Sequence, residues 1–392
     1  MLKKTLQFGA TKCKTILVGK NKKIFPNNSL EVDSWDVTHE ENQKTGDTDL
    51  VETYKGKIEI EQVEEYKYLG FVISSTGDNM ANIRKVKNKS IGVIKKIISK
   101  LESLNLRKYF YECALLFMNV MLRGSILYSC EMYYNLKEKE IRQIERIEEN
   151  YIRKIVNTAK GGPITQLYLE LGQHPARFEI QKRRLLYLKY ILEQSEESLL
   201  KKLYNLQKRF PSRGDWASTC QDDLRKLEIN LSEQEIQEMT KYKFKNLIKE
   251  KIKKLALNYL TEKQSKKGGQ IEYRNLEMAE YLLPTCELNN KEKQKMFEIR
   301  NDMTKIPDNF GNKSLCLCGQ RKNMEHIYNC EIWNKTENEK IQYNNIYNGN
   351  IKKQIRILKI FEQILEKRNK RMKIANSHEI LIGSTVDSII MG

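Results

Sequence analysis

A chain of 392 residues with 40% hydrophobic side chains can bury a sizeable core, which excludes wholesale disorder and suggests about two or three domains. Its 70 Lys and Arg face 51 Asp and Glu, and a formal net charge of +19 predicts a polyanionic partner, because each cation placed on a phosphate releases condensed counterions. An anionic membrane surface is the second reading of that charge and plain solubility the third. No stretch reaches the roughly 20 apolar residues of a membrane span, and nucleic acid, with no membrane partner, is the expectation. The opening MLKKTLQFGATKCKTILVGK has no long apolar run or small-residue cleavage site, and Cys13, Cys113, Cys130, Cys220 and Cys286 are scattered. An intracellular location, nuclear or cytoplasmic, follows as the expectation, with reduced thiols.

The first 80 residues read as strand-rich. KTILVGK and IEIEQVEEYKYLGFVIS carry short apolar runs with partial alternation, broken at Gly and Asn. The polar stretch between them, NNSLEVDSWDVTHEENQKTGDTD, reads as a segment that includes a loop. From Asn82 the period turns helical, with Ile83, Val86, Ile91, Ile94, Ile97, Ile98 and Leu101 on one face and lysines opposite. YFYECALLFMNVMLRGSILYSCEMY is apolar nearly all round, as the central helix of a bundle would be. KEKEIRQIERIEENYIRKIV is amphipathic again, and breaks at KGGP and GQHP precede the helical ARFEIQKRRLLYLKYILEQ.

Ser232 and Glu235 have capping-box spacing. The helix they open is expected to run through YKFKNLIKEKIKKLALNYL to the SKKGGQ linker. Further on, NKTENEKIQYNNIYNGN reads as loose and IKKQIRILKIFEQILEKRNKRMK as a basic amphipathic final helix. The expected fold is mainly α with a small strand-rich α+β N-terminal part.

The chemistry concentrates in SLCLCGQRKNMEHIYNCEIW, residues 314–333. Cys316, Cys318, His326 and Cys330 offer three thiolates and an imidazole, which suit tetrahedral zinc and leave no open coordination position, the mark of a structural site. A segment of about 20 residues cannot bury a core, so ligation would supply its folding energy. The single residue between Cys316 and Cys318 departs from the commonest spacing, and chance clustering in a surface loop is the alternative.

Catalytic candidates are poorer. Phosphoryl transfer on nucleic acids needs carboxylates holding a pair of divalent ions. Asp47 and Asp49 read as turn residues, and Asp222 and Asp223 as a solvated helix start. His174 precedes Pro175 in a turn, His39 and His378 have no evident partners, and Cys113 and Cys130 read as core. No Gly-rich phosphate loop is present, so the residue inventory yields no active site. Nucleic-acid contacts are candidates at Arg153 with Lys154, at Lys182, Arg183 and Arg184, and at Lys249, Lys251, Lys253 and Lys254. Tyrosines between them could stack on bases. A solvated helix face is the competing explanation.

Several stretches, in order, resemble the C-terminal part of reverse transcriptases (RNA-directed DNA polymerases) of non-LTR, LINE-like retrotransposons. FGATKCKTILVGK is similar to the segment after the catalytic palm strand, YKYLGFVISSTGD to the primer-grip hairpin, and RGSILYSCEMYYNLKEKEIRQIERIEENYIRKIV to the helical thumb. YLELGQHPARFEIQKRRLLYLKYIL, FPSRGDWASTCQDDLRKLEI and CLCGQRKNMEHIYNC resemble the region beyond, which ends in a CCHC zinc knuckle.

The resemblance implies a palm remnant at 1–80, a thumb at 81–195, a helical connector at 196–305, a knuckle at 306–335, and an Asn-rich linker with a basic tail helix at 336–392. It places Tyr68, Leu69 and Gly70 in the primer grip, Lys12 and Lys14 near phosphate, and Cys316, Cys318, His326 and Cys330 around a structural zinc that helps bind RNA or DNA. The family's catalytic aspartates precede the KCK match, so this chain is expected to bind nucleic acid without polymerising. Magnesium would enter only with a palm segment of the same element supplied upstream. Residues 1–80 would then lack strand partners and expose sheet edges. A helical protein-binding scaffold, its charge serving solubility, is the remaining reading.

Overall fold

Residues 16, 29–41, 48–157, 163–211, 214–266, 273–301, 316, 318, 320, 324–332, 342–343, 345–368 and 370 are described by the computed structural model. Strand β1 (Ser29–Glu41) pairs antiparallel with β2 (Thr48–Glu61), from Ser29 opposite Glu61 to Glu41 opposite Thr48. A strand thus occupies the stretch expected to include a loop. The register shifts at Ser34/Trp35, where the pairing passes from Gly56 to Tyr54 and skips Lys55. In the sequence, Leu30 and Val32 hold even positions, whereas Trp35 and Val37 hold odd ones. A bulge allows such a phase change, and a scan for a single period of two misses it. The segment KTILVGK lies outside the described residues except for Ile16.

A second hairpin joins β3 (Glu65–Tyr68) to β4 (Phe71–Ser74) through Leu69 and Gly70, both with positive φ (+45° and +90°). Among the described residues no third strand joins either pair.

Helices build the rest. Helix α1 (Met80–Ser103) buries Ile83, Val86, Ile94, Ile97 and Leu101 as its period predicts, but Ile91 faces outward. Helix α2 (Phe110–Phe117) widens into a π-helical turn at Met118–Leu122 before α3 (Arg123–Ile126). The segment expected to be buried all round has two sides: Tyr111, Leu115, Met118 and Leu122 are buried, and Leu116, Val120 and Met121 are exposed. After Ser129, in the left-handed region at φ +58°, come α4 (Glu138–Val156), α5 (Ile164–Glu170), α6 (Ala176–Leu192), α7 (Leu199–Arg209) and α8 (Trp216–Lys226).

The capping box at Ser232 forms, but the helix it opens, α9 (Glu233–Glu238), has only 6 residues. Met239 turns extended, and Thr240 caps a fresh helix, α10 (Lys241–Ser265), by accepting from the Lys243 amide at 3.3 Å. Then follow α11 (Asn290–Arg300), α12 (Met324–Asn329), α13 (Asn345–Asn348) and α14 (351–368). Helix α13 and Tyr343 fall in the Asn-rich stretch expected to be loose. Tyr343, Ile346 and Tyr347 are buried there, and the Tyr343 ring lies 5.5 Å from that of Tyr328.

Buried apolar side chains from Ile83 to Ile364 form one continuous cluster, in which α6 touches α4, α8 and α10. Close backbone approach fixes one corner of it. Gly172 (φ +61°) lies against Glu277 and Met278 so tightly that a Cβ would stand 2.3 Å from the Glu277 carbonyl carbon. The Ala279 amide donates to the Glu170 carbonyl at 2.7 Å beside it. No described helix is long and apolar enough to cross a membrane.

Candidate metal centre

Helix α12 is anchored by its own buried side chains Ile327 and Tyr328, and it carries His326 in its last turn. Cys330 follows at its C-terminal end. The Cys316 amide donates to the Gln320 carbonyl at 2.8 Å, closing a tight turn around Cys318. The Sγ atoms of Cys316, Cys318 and Cys330 and one ring nitrogen of His326 all lie within 4.8 Å of one another. Cys316 Sγ stands 3.9 Å from Cys330 Sγ, and Cys318 Sγ 3.1 Å from His326 Nε2. A tetrahedral zinc with bonds of about 2.3 Å to sulfur separates its sulfurs by about 3.8 Å, so the donor set fits that ion.

Cys316 and Cys330 are buried, His326 is half-buried and Cys318 is exposed. Burial pushes the Cys330 thiol up to about 11, and the neighbouring Cys316 and Cys318 thiols act in the same direction. A divalent cation among them would reverse that preference, since it binds the deprotonated form. From α14 the fully buried Arg368 brings Nη1 to 3.9 Å from Cys316 Sγ, a cation placed beside a ligand that would carry negative charge. Among the described residues this is the sole cluster of three or more His, Cys, Asp or Glu side chains placed to hold one metal ion.

The candidate nucleic-acid residues divide. Tyr68 and Leu69 are exposed at the β3–β4 tip. Tyr128 Oη donates to the Leu69 carbonyl at 2.9 Å, the Lys85 ammonium donates to the Gly70 carbonyl, and Asn82 Oδ1 accepts from the Val72 amide at 3.3 Å. Burial, with Lys67 and Lys89 nearby, holds the Lys85 pKa below the usual lysine range. The sequence reading missed this lysine group beneath the tip, although the spacing of Lys85 and Lys89 by one helical turn was a signal. Lys12 and Lys14 lie outside the described residues, as do Asp47 and His378.

Arg153 is half-buried and Lys154 exposed on α4. Lys182 and Arg183 both pair with Glu179, and Arg183 also donates to the Leu127 carbonyl at 2.9 Å. Arg184 is a core residue instead of a surface contact. It pairs with Asp223 at 2.5 Å, donates to the Tyr133 carbonyl at 2.9 Å, and both side chains are almost fully buried. Asp223 is therefore not solvated, and it sits near the end of α8 instead of its start; Asp222 beside it is exposed and pairs with Arg225. Lys251 donates to the Glu228 carbonyl at 3.3 Å, while Lys249, Lys253 and Lys254 stand exposed on α10.

Asp49 lies in β2 opposite Glu40, and His39 in β1 opposite Leu50. Cys130 is buried and Cys113 half-buried. Two further buried pairs went unread: Arg123 with Glu148 at 2.7 Å and Arg300 with Glu170 at 2.9 Å. Glu148 was visible in principle, because it falls in phase with the apolar stripe Ile144–Tyr151–Ile152. Comparison with known proteins identifies no relative: no family model, no curated protein and no solved structure matches the chain.

Proposed function

We propose that this chain is a nucleic-acid-binding C-terminal portion of a non-LTR retrotransposon reverse transcriptase, in which a helical body, a hairpin tip and a Cys3His zinc knuckle hold RNA or DNA. The observation that carries the reading is the convergence of Cys316, Cys318, His326 and Cys330 within 4.8 Å, on a chain of net charge +19. Four ligands of this type fill the coordination sphere of zinc, so the ion would cross-link the segment instead of activating water.

The order of parts also supports it. The β3–β4 hairpin, the helical body and the Cys/His cluster follow one another along the chain as in the family it resembles. At the hairpin tip, Tyr68 and Leu69 are exposed, Tyr128 and Lys85 hold the Leu69 and Gly70 carbonyls, and Lys67 and Lys89 lie near Lys85. The reading assigns no polymerase step to these residues; synthesis and its magnesium belong with a palm that carries the aspartates.

Elemental analysis of the purified chain should find about one zinc per molecule, lost in Cys330→Ser. RNA affinity should fall steeply as salt rises. A parent chain without bound metal ends the knuckle reading, and RNA binding that is weak at low salt and insensitive to it ends the nucleic-acid reading. One observation favours the protein-binding scaffold in that event: Leu199, Leu203, Leu206 and Phe210 form an exposed apolar stripe along α7.

A further inference from the structure

A cleft of about 540 Å³ opens between α6, α10 and the π-helical turn, within the range of about 300–1,000 Å³ common for ligand sites. Its floor is rigid and electrically closed. Arg123 donates to Glu148 at 2.7 Å, to Asn119 Oδ1 at 3.0 Å and to the His174 carbonyl at 2.5 Å, which commits its guanidinium within the protein. Turns of π-helix of this kind frequently mark functional sites, because they displace side chains from the regular helical positions.

The α6 wall is also balanced. Burial opposes ionisation of Glu179, yet Lys182 and Arg123 outweigh it and hold its carboxyl below the usual range, so Lys182 faces a carboxylate. The α10 wall differs. Lys249 and Lys253, one turn apart, line the cleft beside Asn246, and neither has a hydrogen-bond or ion-pair partner among the described residues. Glu250 is the one acid between them. Ile252 and Leu276 border the cleft from within the core, almost fully buried, and the lining includes no Tyr, Phe or Trp on which a base could stack.

We propose that this cleft grips the sugar–phosphate backbone of a single strand, with Lys249 and Lys253 neutralising phosphates and Asn246 donating beside them. The proposal rests on the nucleic-acid reading and narrows it. Of the basic stretches on the helical body, it selects α10, and it makes the contact indifferent to base identity. Lys182, Arg183 and Arg184, by contrast, serve the fold.

The test uses the full chain and a short single-stranded oligonucleotide, in RNA and DNA versions, with anisotropy followed across a salt series. Lys249→Gln/Lys253→Gln should flatten the dependence of log affinity on log salt by about 1.4, two contacts at about 0.7 each. Lys243→Gln/Lys254→Gln removes equal charge from α10 positions outside the cleft lining, and should flatten it by less than half as much. Equal flattening in both variants, or a Lys249/Lys253 variant that matches the parent, overturns the cleft while leaving nucleic-acid binding in place.

Calorimetry with tripolyphosphate separates the other failure. If the parent binds tripolyphosphate through these lysines but binds no oligonucleotide, the nucleic-acid occupant is overturned. A parent that binds neither overturns both readings. Unchanged zinc content and circular dichroism in the variants show that the fold is retained.

Discussion

Glu148 stands one turn after Ile144 and one turn before Ile152, and all three are fully buried. A carboxylate survives there because Arg123 Nε donates to it at 2.7 Å and Tyr168 Oη at 3.4 Å. Removing one partner strands the other charge in the core, so Arg123→Met should destabilise the fold by about 3–5 kcal/mol. Arg123→Met with Glu148→Leu removes both charges and should recover most of that loss. Urea midpoints of the single and double variants decide the matter; equal losses would mean that packing, not an orphaned charge, sets the cost. His174 gives a second residue-level prediction. Burial first, and then Arg123, bring its pKa down from 6.5 to about 3. The folded chain therefore binds this proton less readily than the unfolded chain. The associated stability is complete above pH 6.5 and is lost as pH falls toward 3, at up to about 1.4 kcal/mol per unit. Glu138 and Glu179, whose carboxyls are also held low, add a loss of the same sign at lower pH. Comparing the parent with His174→Gln isolates the imidazole share: the variant should show the flatter decline between pH 6.5 and 4.5, and parallel curves would remove His174 from the account.

At the β3–β4 turn, one element carries a local conflict. Two-residue hairpin turns with positive φ favour Asn-Gly, yet the first position is Leu69, at φ +45° and exposed. A branched apolar side chain in the left-handed region costs roughly 1–2 kcal/mol, and Asn tolerates it better. Leu69→Asn should therefore raise the thermal midpoint and, if the tip touches nucleic acid, weaken RNA binding in the same protein. A rise in stability with RNA affinity unchanged would make the turn merely structural. What could be read from sequence at this scale was local. The α1 face, the Ser232 capping box and the Cys/His spacing each depend on residues a few positions apart. The break at Met239 and the π turn at Met118–Leu122 lie in continuous helical patterns, and the shift at Lys55 breaks a strand pattern. The partners of Glu148, Glu170 and Asp223 were hidden for a related reason: each arginine lies on another element, so even where a buried position shows in the helical period, as for Glu148, its pairing forms only when the helices pack.

Across the whole molecule, the continuous apolar cluster reaches from Ile83 on α1 to Ile364 on α14, and the Cys/His group sits at the α12–α14 end of it. Helix α12 has 6 residues, far too few to persist without tertiary support. Ile327 and Tyr328 anchor it to the core, and the turn through Cys316 is joined to α14 by the Arg368–Cys316 contact. Metal ligation would add the tie between Cys316–Cys318 and His326–Cys330. Helices α1, α4, α6 and α10, by contrast, pack on one another through side chains that owe nothing to the cluster. Loss of metal should therefore act regionally. After a zinc chelator, backbone amides of α12 and the facing part of α14 should lose hydrogen-exchange protection, while those of α4 and α6 keep theirs. Cys330→Ser should reproduce the pattern without chelator, and adding chelator to that variant should change nothing further. Uniform loss of protection along the chain would mean that the metal holds the whole fold. Unchanged protection at α12 would mean that Ile327 and Tyr328 suffice, and that the four converging side chains bear no structural load.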